Sequence, residues 1–106
     1  MDEHLTIEYY ETNTGKSPYL EWEAELATEL RAQIRKRLNR VRLGNFGDVN
    51  HIENSIFELR IHAGAGYRIY YAKKGNKLVV LLCAGSKNSQ DRDIAKAKKY
   101  WQDLGG

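Results

Sequence analysis

The stretch Leu78–Ala84, LVVLLCA, is apolar at every position. A strand that alternates can leave one face in water, but a strand with no polar face needs cover on both. This segment therefore belongs in the middle of a sheet rather than at its edge. It is the longest apolar run in the chain, far short of the ~20 residues that span a bilayer.

Two further strands are expected before it, about Ile56–His62 and Tyr67–Lys73. Strand period puts Phe57, Leu59 and Ile61 on one face and Glu58, Arg60 and His62 on the other. Tyr67, Ile69 and Tyr71 share a face in the next strand, with Arg68 and Tyr70 opposite. Matching the apolar faces sets Ile61 beside Tyr67, Leu59 beside Ile69 and Arg60 beside Arg68. HAGAG then closes the hairpin with glycines that permit positive φ, and the Gly-Asn pair in KKGNK turns the chain into LVVLLCA. Two guanidiniums side by side repel unless an anion, a carboxylate or water lies between them. Glu58 within the chain, or a phosphate from outside, meets that need.

The ordinary reading of an alternating polar face is that water covers it. Here the company is unusual: His62 and Tyr70 share the face, and Lys87 follows the central strand at its end, where loops carry function. Arg, Arg, Lys, Tyr and His together are equipped to hold a phosphodiester.

The first half of the chain supplies the cover. Leu5–Tyr10 alternates as a strand, with Leu5, Ile7 and Tyr9 on one face. After the loop TNTGKSP, Ser17 is placed to cap a helix whose first turns hold Pro18, Glu21 and Glu23. Tyr19, Trp22, Leu26 and Leu30 follow at helical spacing, and Ile34, Leu38 and Val41 continue the period. Compactness favours two helices in a hairpin breaking near Thr28 over one long helix. Gly44 suits the left-handed helix end in LGNFGD. A last helix is expected with Ser89 at its cap, Asp91 and Asp93 near its start, Lys96, Lys98 and Lys99 later, and Ile94, Ala97, Trp101 and Leu104 as its apolar stripe. The result is one α+β domain over residues 1–106: a small, mainly antiparallel sheet, an N-terminal helical hairpin and a C-terminal helix.

The net charge of +3 conceals a division. Residues 1–30 hold eight acidic residues and one lysine, whereas residues 31–106 hold sixteen basic and six acidic ones. Such asymmetry points to a partner, with a basic surface suited to nucleic acid or an acidic protein. The densest stretch, RAQIRKRLNRVR, carries Arg31, Arg35, Lys36, Arg37, Arg40 and Arg42 with no acidic residue. It is the outer face of an amphipathic helix and equally a candidate contact with RNA or a ribosome. Cys83, the only cysteine, is expected to be a buried structural thiol, which with an N-terminus lacking an apolar signal segment points to the cytosol. His4, His51 and His62 have no zinc-ligand spacing, and GAG and GNFG lack the strand–loop–helix context of a phosphate fingerprint, so no metal or cofactor is expected. Trp22 and Trp101 sit on apolar stripes and are expected in the core.

LGNFGDV, ELRIHAGAGYRIYY and LLCAGSKNSQDRDIAKAKKYW together resemble the RelE/ParE toxin superfamily of bacterial type II toxin–antitoxin systems. The resemblance is nearest the phage-derived addiction-module killer proteins, beside the HigB-like toxins, and is densest from Leu43 to Trp101. It implies a RelE-like fold and, for many members, metal-independent cleavage of mRNA in the ribosomal A site by attack of a ribose 2′-hydroxyl on the adjacent phosphate. That chemistry needs stabilised phosphate charge, a base and an acid. By position, Arg60 matches the strand arginine that contacts the reacting phosphate, Lys87 a second basic residue, and Arg68 the arginine of Gly-Tyr-Arg. The family's catalytic tyrosine has no match; its place falls near Asp93, and Tyr100 lies a helix further on. His62 and Tyr70 are the candidates for proton transfer. The resemblance also implies a helix-turn-helix, HigA-like antitoxin, with operator DNA bound only through the antitoxin complex, and a bacterial cytoplasmic setting. The alternatives are a ParE-like, non-enzymatic inhibitor of DNA gyrase, and a degenerate toxin that keeps only antitoxin binding.

Overall fold

The computed structural model describes residues 4–106. Asp2 and Glu3, on which the expectation of no signal segment partly rests, lie outside the described residues. The elements run β1 (Thr6–Tyr9), α1 (Pro18–Ala24), α2 (Thr28–Arg42), β2 (Val49–Glu53), β3 (Ile56–Ile61), β4 (Tyr67–Lys74), β5 (Leu78–Ser86), a single 3-10 turn over Lys87–Ser89, and α3 (Gln90–Asp103). The strands form one mixed sheet in the order β1-β5-β4-β3-β2. β1 runs parallel to β5 and the other pairings are antiparallel.

The helical hairpin breaks where compactness demanded. Ser17 accepts the Leu20 N–H at 3.2 Å and Pro18 opens α1. The end of α1 is held from the next helix: the Arg31 guanidinium donates to the carbonyls of Glu23, Ala24 and Leu26. Those carbonyls would otherwise lack partners at a helix terminus. α2 stops at Gly44, whose φ of +87° only glycine adopts without strain.

β5 is interior and buried on both faces, as its composition requires. Tyr19, Ile34, Leu38 and Val41 of the hairpin pack on Leu59, Ile69, Tyr71 and Leu81. On the opposite face Ala97 of α3 joins a second core with Ile56, Tyr70, Ala72, Val80 and Leu82. This second core corrects the expectation of a polar outer face on the β3–β4 hairpin. The parity of the register is as expected, with Arg60 opposite Arg68, but α3 covers most of that face and only its far end opens. A register shift between Tyr70 and Tyr71 puts both Leu82 and Cys83 in the second core. Trp22 and Trp101 are partly buried at the margins of the two cores.

Two details differ from expectation. β2 is an additional edge strand, joined to β3 by a tight turn in which Asn54 takes a φ of +48°. Ser89 stands at the N-cap of α3 but makes no capping bond; its hydroxyl donates to the Ser86 carbonyl and to the Asp93 carboxylate. Among the described residues no helix is long and apolar enough to cross a membrane.

Candidate functional site: an arginine-lined cleft

At the open end of the β3–β4 hairpin lies a cleft of about 390 Å³. Arg60, His62, Arg68 and Lys87 line it, with Ala63–Gly66 as its rim. The loop closes because Gly66 takes a φ of +82° and donates to the Ala63 carbonyl. The Gly66 carbonyl in turn accepts the Lys87 N–H at 3.1 Å, which anchors the 3-10 turn against the loop. Arg60, Arg68, His62 and Lys87, separated in sequence by up to 27 positions, thus share one concavity.

Beneath the arginines sits Glu58, fully buried. One of its oxygens accepts Arg60 Nε at 3.1 Å; the other lies 3.4 Å from Arg68 Nε and accepts the Gln90 side-chain amide at 2.9 Å. The 3.4 Å contact is an ion pair without hydrogen-bond alignment. The carboxylate that sequence offered as a spacer between the guanidiniums occupies that place.

A second carboxylate borders the site. Asp48 bonds His62 Nε2 and lies 3.7 Å from Arg60 Nη1. The hydrogen bond from His62, with the charges of Arg60 and Arg37 adding to it, holds the Asp48 carboxyl below the usual aspartate range. Arg37 of α2 supports the same corner from behind, donating to the carbonyls of Arg60, Phe46 and Asp48. Its guanidinium packs on Gly47, where an added Cβ would lie 2.7 Å from Nη2.

Tyr70 is not at the cleft. It is fully buried beneath α3, and its hydroxyl has no hydrogen bond of good geometry. Burial first, and the neighbouring Glu58 carboxylate second, push its phenol well above the usual tyrosine value, which removes it as a base near neutral pH. The reason is the second core, which the strand alternation alone does not reveal. Asp93 is also turned inward, bonded to the Ser89 hydroxyl below Gly85. Tyr100 stacks on Tyr10 away from the cleft.

The basic residues of α2 divide. Arg31 caps α1, Arg35 pairs with Glu23 at 2.9 Å, and Arg37 braces the loop before β2. Arg42 donates to Asn39, while Lys36 and Arg40 are exposed. Part of the charge asymmetry is therefore internal: the buried Glu23 of α1 pairs with Arg35 of α2 and accepts the Tyr19 hydroxyl. Asp48 and Gln90 are the site residues that sequence reasoning missed. Asp48 reads locally as a turn residue after Gly47, and only the β2–β3 pairing carries it to His62. Among the described residues no group of three or more His, Cys, Asp or Glu is placed to hold a metal ion.

Residues 21–102 match the family model of phage-derived Gp49-like proteins. The chain is also similar to an uncharacterized protein of Haemophilus influenzae, 42% identical over 102 residues, covering 95% of this chain and 99% of that protein.

Proposed function

The chain belongs to the phage-derived Gp49-like family, a toxin-like addiction-module family, and on that premise we propose that it is the toxin of a type II toxin–antitoxin pair and that its cleft cleaves mRNA on the ribosome. The observation that carries this reading is the convergence of Arg60, Arg68, His62 and Lys87 on one concavity. Arginine forks bind two phosphate oxygens each while staying charged, which suits a phosphodiester whose charge grows in the transition state.

In this reading Arg60, Arg68 and Lys87 hold the scissile phosphate. His62, oriented by Asp48, takes the proton from the ribose 2′-hydroxyl. The 2′-oxygen bonds to phosphorus, the bond to the 5′-oxygen breaks, and that oxygen takes a proton from water. The products are a 2′,3′-cyclic phosphate and a 5′-hydroxyl. Lys36, Arg40 and Arg42 add non-specific phosphate contact on α2, whereas Arg31, Arg35 and Arg37 act through structure. The finer placement is a RelE-like fold in the RelE/ParE superfamily, on its HigB-like branch, acting in the bacterial cytoplasm. The partner is a HigA-like helix-turn-helix antitoxin that carries the pair to its operator.

The inward turn of Asp93, at the position where the resembling toxins carry a tyrosine, favours the gyrase-inhibitor alternative, which needs no base. One experiment separates the two. The chain is expressed with and without Arg60→Ala plus Lys87→Ala, and mRNA 5′ ends are mapped on translating ribosomes. Codon-phased cuts lost in the double variant support the nuclease. Growth arrest with gyrase-linked DNA breaks and no mRNA cuts rejects it, and equal cleavage of naked RNA contradicts ribosome dependence.

A further inference from the structure

We propose that Glu58 is a positioning residue: its single buried carboxylate holds Arg60 and Arg68 as one grip for a monoanionic phosphodiester. The proposal rests on the nuclease reading and gives the arginines their geometry. Two guanidiniums directly opposite on one sheet face repel, and long flexible side chains relieve that repulsion by splaying apart. Glu58 prevents this by turning one oxygen to each Nε, at 3.1 Å and 3.4 Å. A guanidinium has five N–H donors, and an arginine tethered through Nε keeps its Nη groups for a ligand.

The carboxylate itself cannot drift. It has no solvent exposure, and Gln90, the first residue of α3, donates to it at 2.9 Å. The helix that buries the second face of the sheet thereby also fixes the grip. A carboxylate so buried is retained only with charged partners, and the two arginines are those partners. Charge also sets the ligand class. Three cations, Arg60, Arg68 and Lys87, line the cleft beside the carboxylates Glu58 and Asp48, and Arg37 adds its charge behind Asp48, so the lining is net positive and suits an anion such as a phosphodiester.

Glu58→Gln tests the idea, since it keeps the shape and removes the charge that tethers the arginines. Short-RNA binding should hold or tighten, because a negative charge is gone, while the cleavage rate on saturated ribosomes falls on the order of 10²-fold. A merely structural role would lower both together. NMR of the arginine Nε–Hε groups gives a readout that does not need activity. In the wild type, inorganic phosphate should shift the Arg60 and Arg68 signals together; in Glu58→Gln the signals should exchange rapidly with water and respond separately. If Glu58→Gln does not fold, Gln90→Ala, which removes only the third donor, should show the same split more weakly. Wild-type cleavage by Glu58→Gln with unchanged arginine signals overturns the proposal, as does equal loss of binding and rate in a folded variant. If the wild type cleaves no RNA, the nuclease reading fails, and the phosphate titration still decides this one: a joint shift supports the grip, and no shift overturns it.

Discussion

Arg60 and Arg68 face each other directly across the antiparallel β3–β4 pair, with the Glu58 carboxylate between their Nε atoms. Their surroundings are unequal. Arg60 is more open and touches a second carboxylate, Asp48, whereas Arg68 is 15% exposed and faces only Glu58 among the described ion pairs. Arg60→Lys keeps the charge and loses the fork, so under the proposed nuclease reading cleavage should drop about 10²-fold with little change in the unfolding midpoint. Arg68→Ala leaves a buried carboxylate short of a counter-charge and should also cost about 1–3 kcal/mol in chemical denaturation. Equal stability losses for the two would contradict the asymmetry.

Gly85 lies in β5 directly above the start of α3. A Cβ there would overlap Asp93 Oδ2 and stand 2.6 Å from Ser89 Oγ, two atoms already locked to each other. Asp93 is buried and has little room to retreat. Gly85→Ala should therefore destabilise the fold by about 1–3 kcal/mol, lowering the thermal midpoint by several degrees in circular dichroism. An unchanged midpoint would show that α3 can shift away.

These relationships mark how far the sequence could be read. Wherever one periodic pattern decided the outcome it was legible: the cover on both faces of LVVLLCA, the pairing of Arg60 with Arg68, the turn at Gly44. Tyr70 was misplaced because alternation gives the parity of a face and not what packs on it; a helix more than twenty residues away buries it. β2 was missed because VNHIE is mostly exposed and pairs along one edge only, which leaves Val49 and Ile52 without an alternating pattern, and its turn uses Asn-Ser where Asn-Gly would have been read. Arg31 and Arg37 looked like surface charge because their acceptors are backbone carbonyls, invisible in side-chain patterns.

Cys83 is 4% exposed and donates its thiol to the Asp93 carbonyl. Burial, with the Asp93 charge adding to it, pushes its pKa up to about 12. The thiolate, not the thiol, attacks thiol reagents, so the folded protein should stay neutral at this position until the pH nears that value. A disulfide reagent at pH 8 should react with no thiol in the native protein and with one after denaturation. Rapid native labelling would mean that the second core opens on the timescale of the assay.

The Asp48–His62 pair has a pH signature with a definite sign. The Asp48 pKa is depressed in the folded protein, chiefly by its hydrogen bond to His62. The stabilising contribution of its charged form is therefore present above the unfolded value of about 3.9 and is lost as the pH falls through the lower folded value. The carboxyl carbon of Asp48 should titrate with a midpoint below that of an unfolded aspartate, and the displacement should shrink in His62→Ala, where only the Arg60 and Arg37 charges still lower it. A midpoint at or above the unfolded value would mean that the pair does not form in solution.

The basic helix α2 offers the sharpest separation of structural from binding charge. Lys36 and Arg40 are exposed, while Arg31 and Arg35 are bonded to α1. Phosphate contact releases counter-ions, and each lost contact lowers the slope of log affinity against log salt by roughly 0.7–0.9. Lys36→Ala plus Arg40→Ala should therefore weaken ribosome or RNA binding, reduce the salt slope by about 1.4–1.8, and leave the unfolding midpoint in place. Arg31→Ala strips the last α1 carbonyls of a shared donor, and Arg35→Ala leaves the buried Glu23 carboxylate with the Tyr19 hydroxyl alone. Both should lower stability, and neither should change the salt slope by a full unit. A salt slope that falls equally for all four would place the whole helix face on nucleic acid and break the division drawn from the contacts.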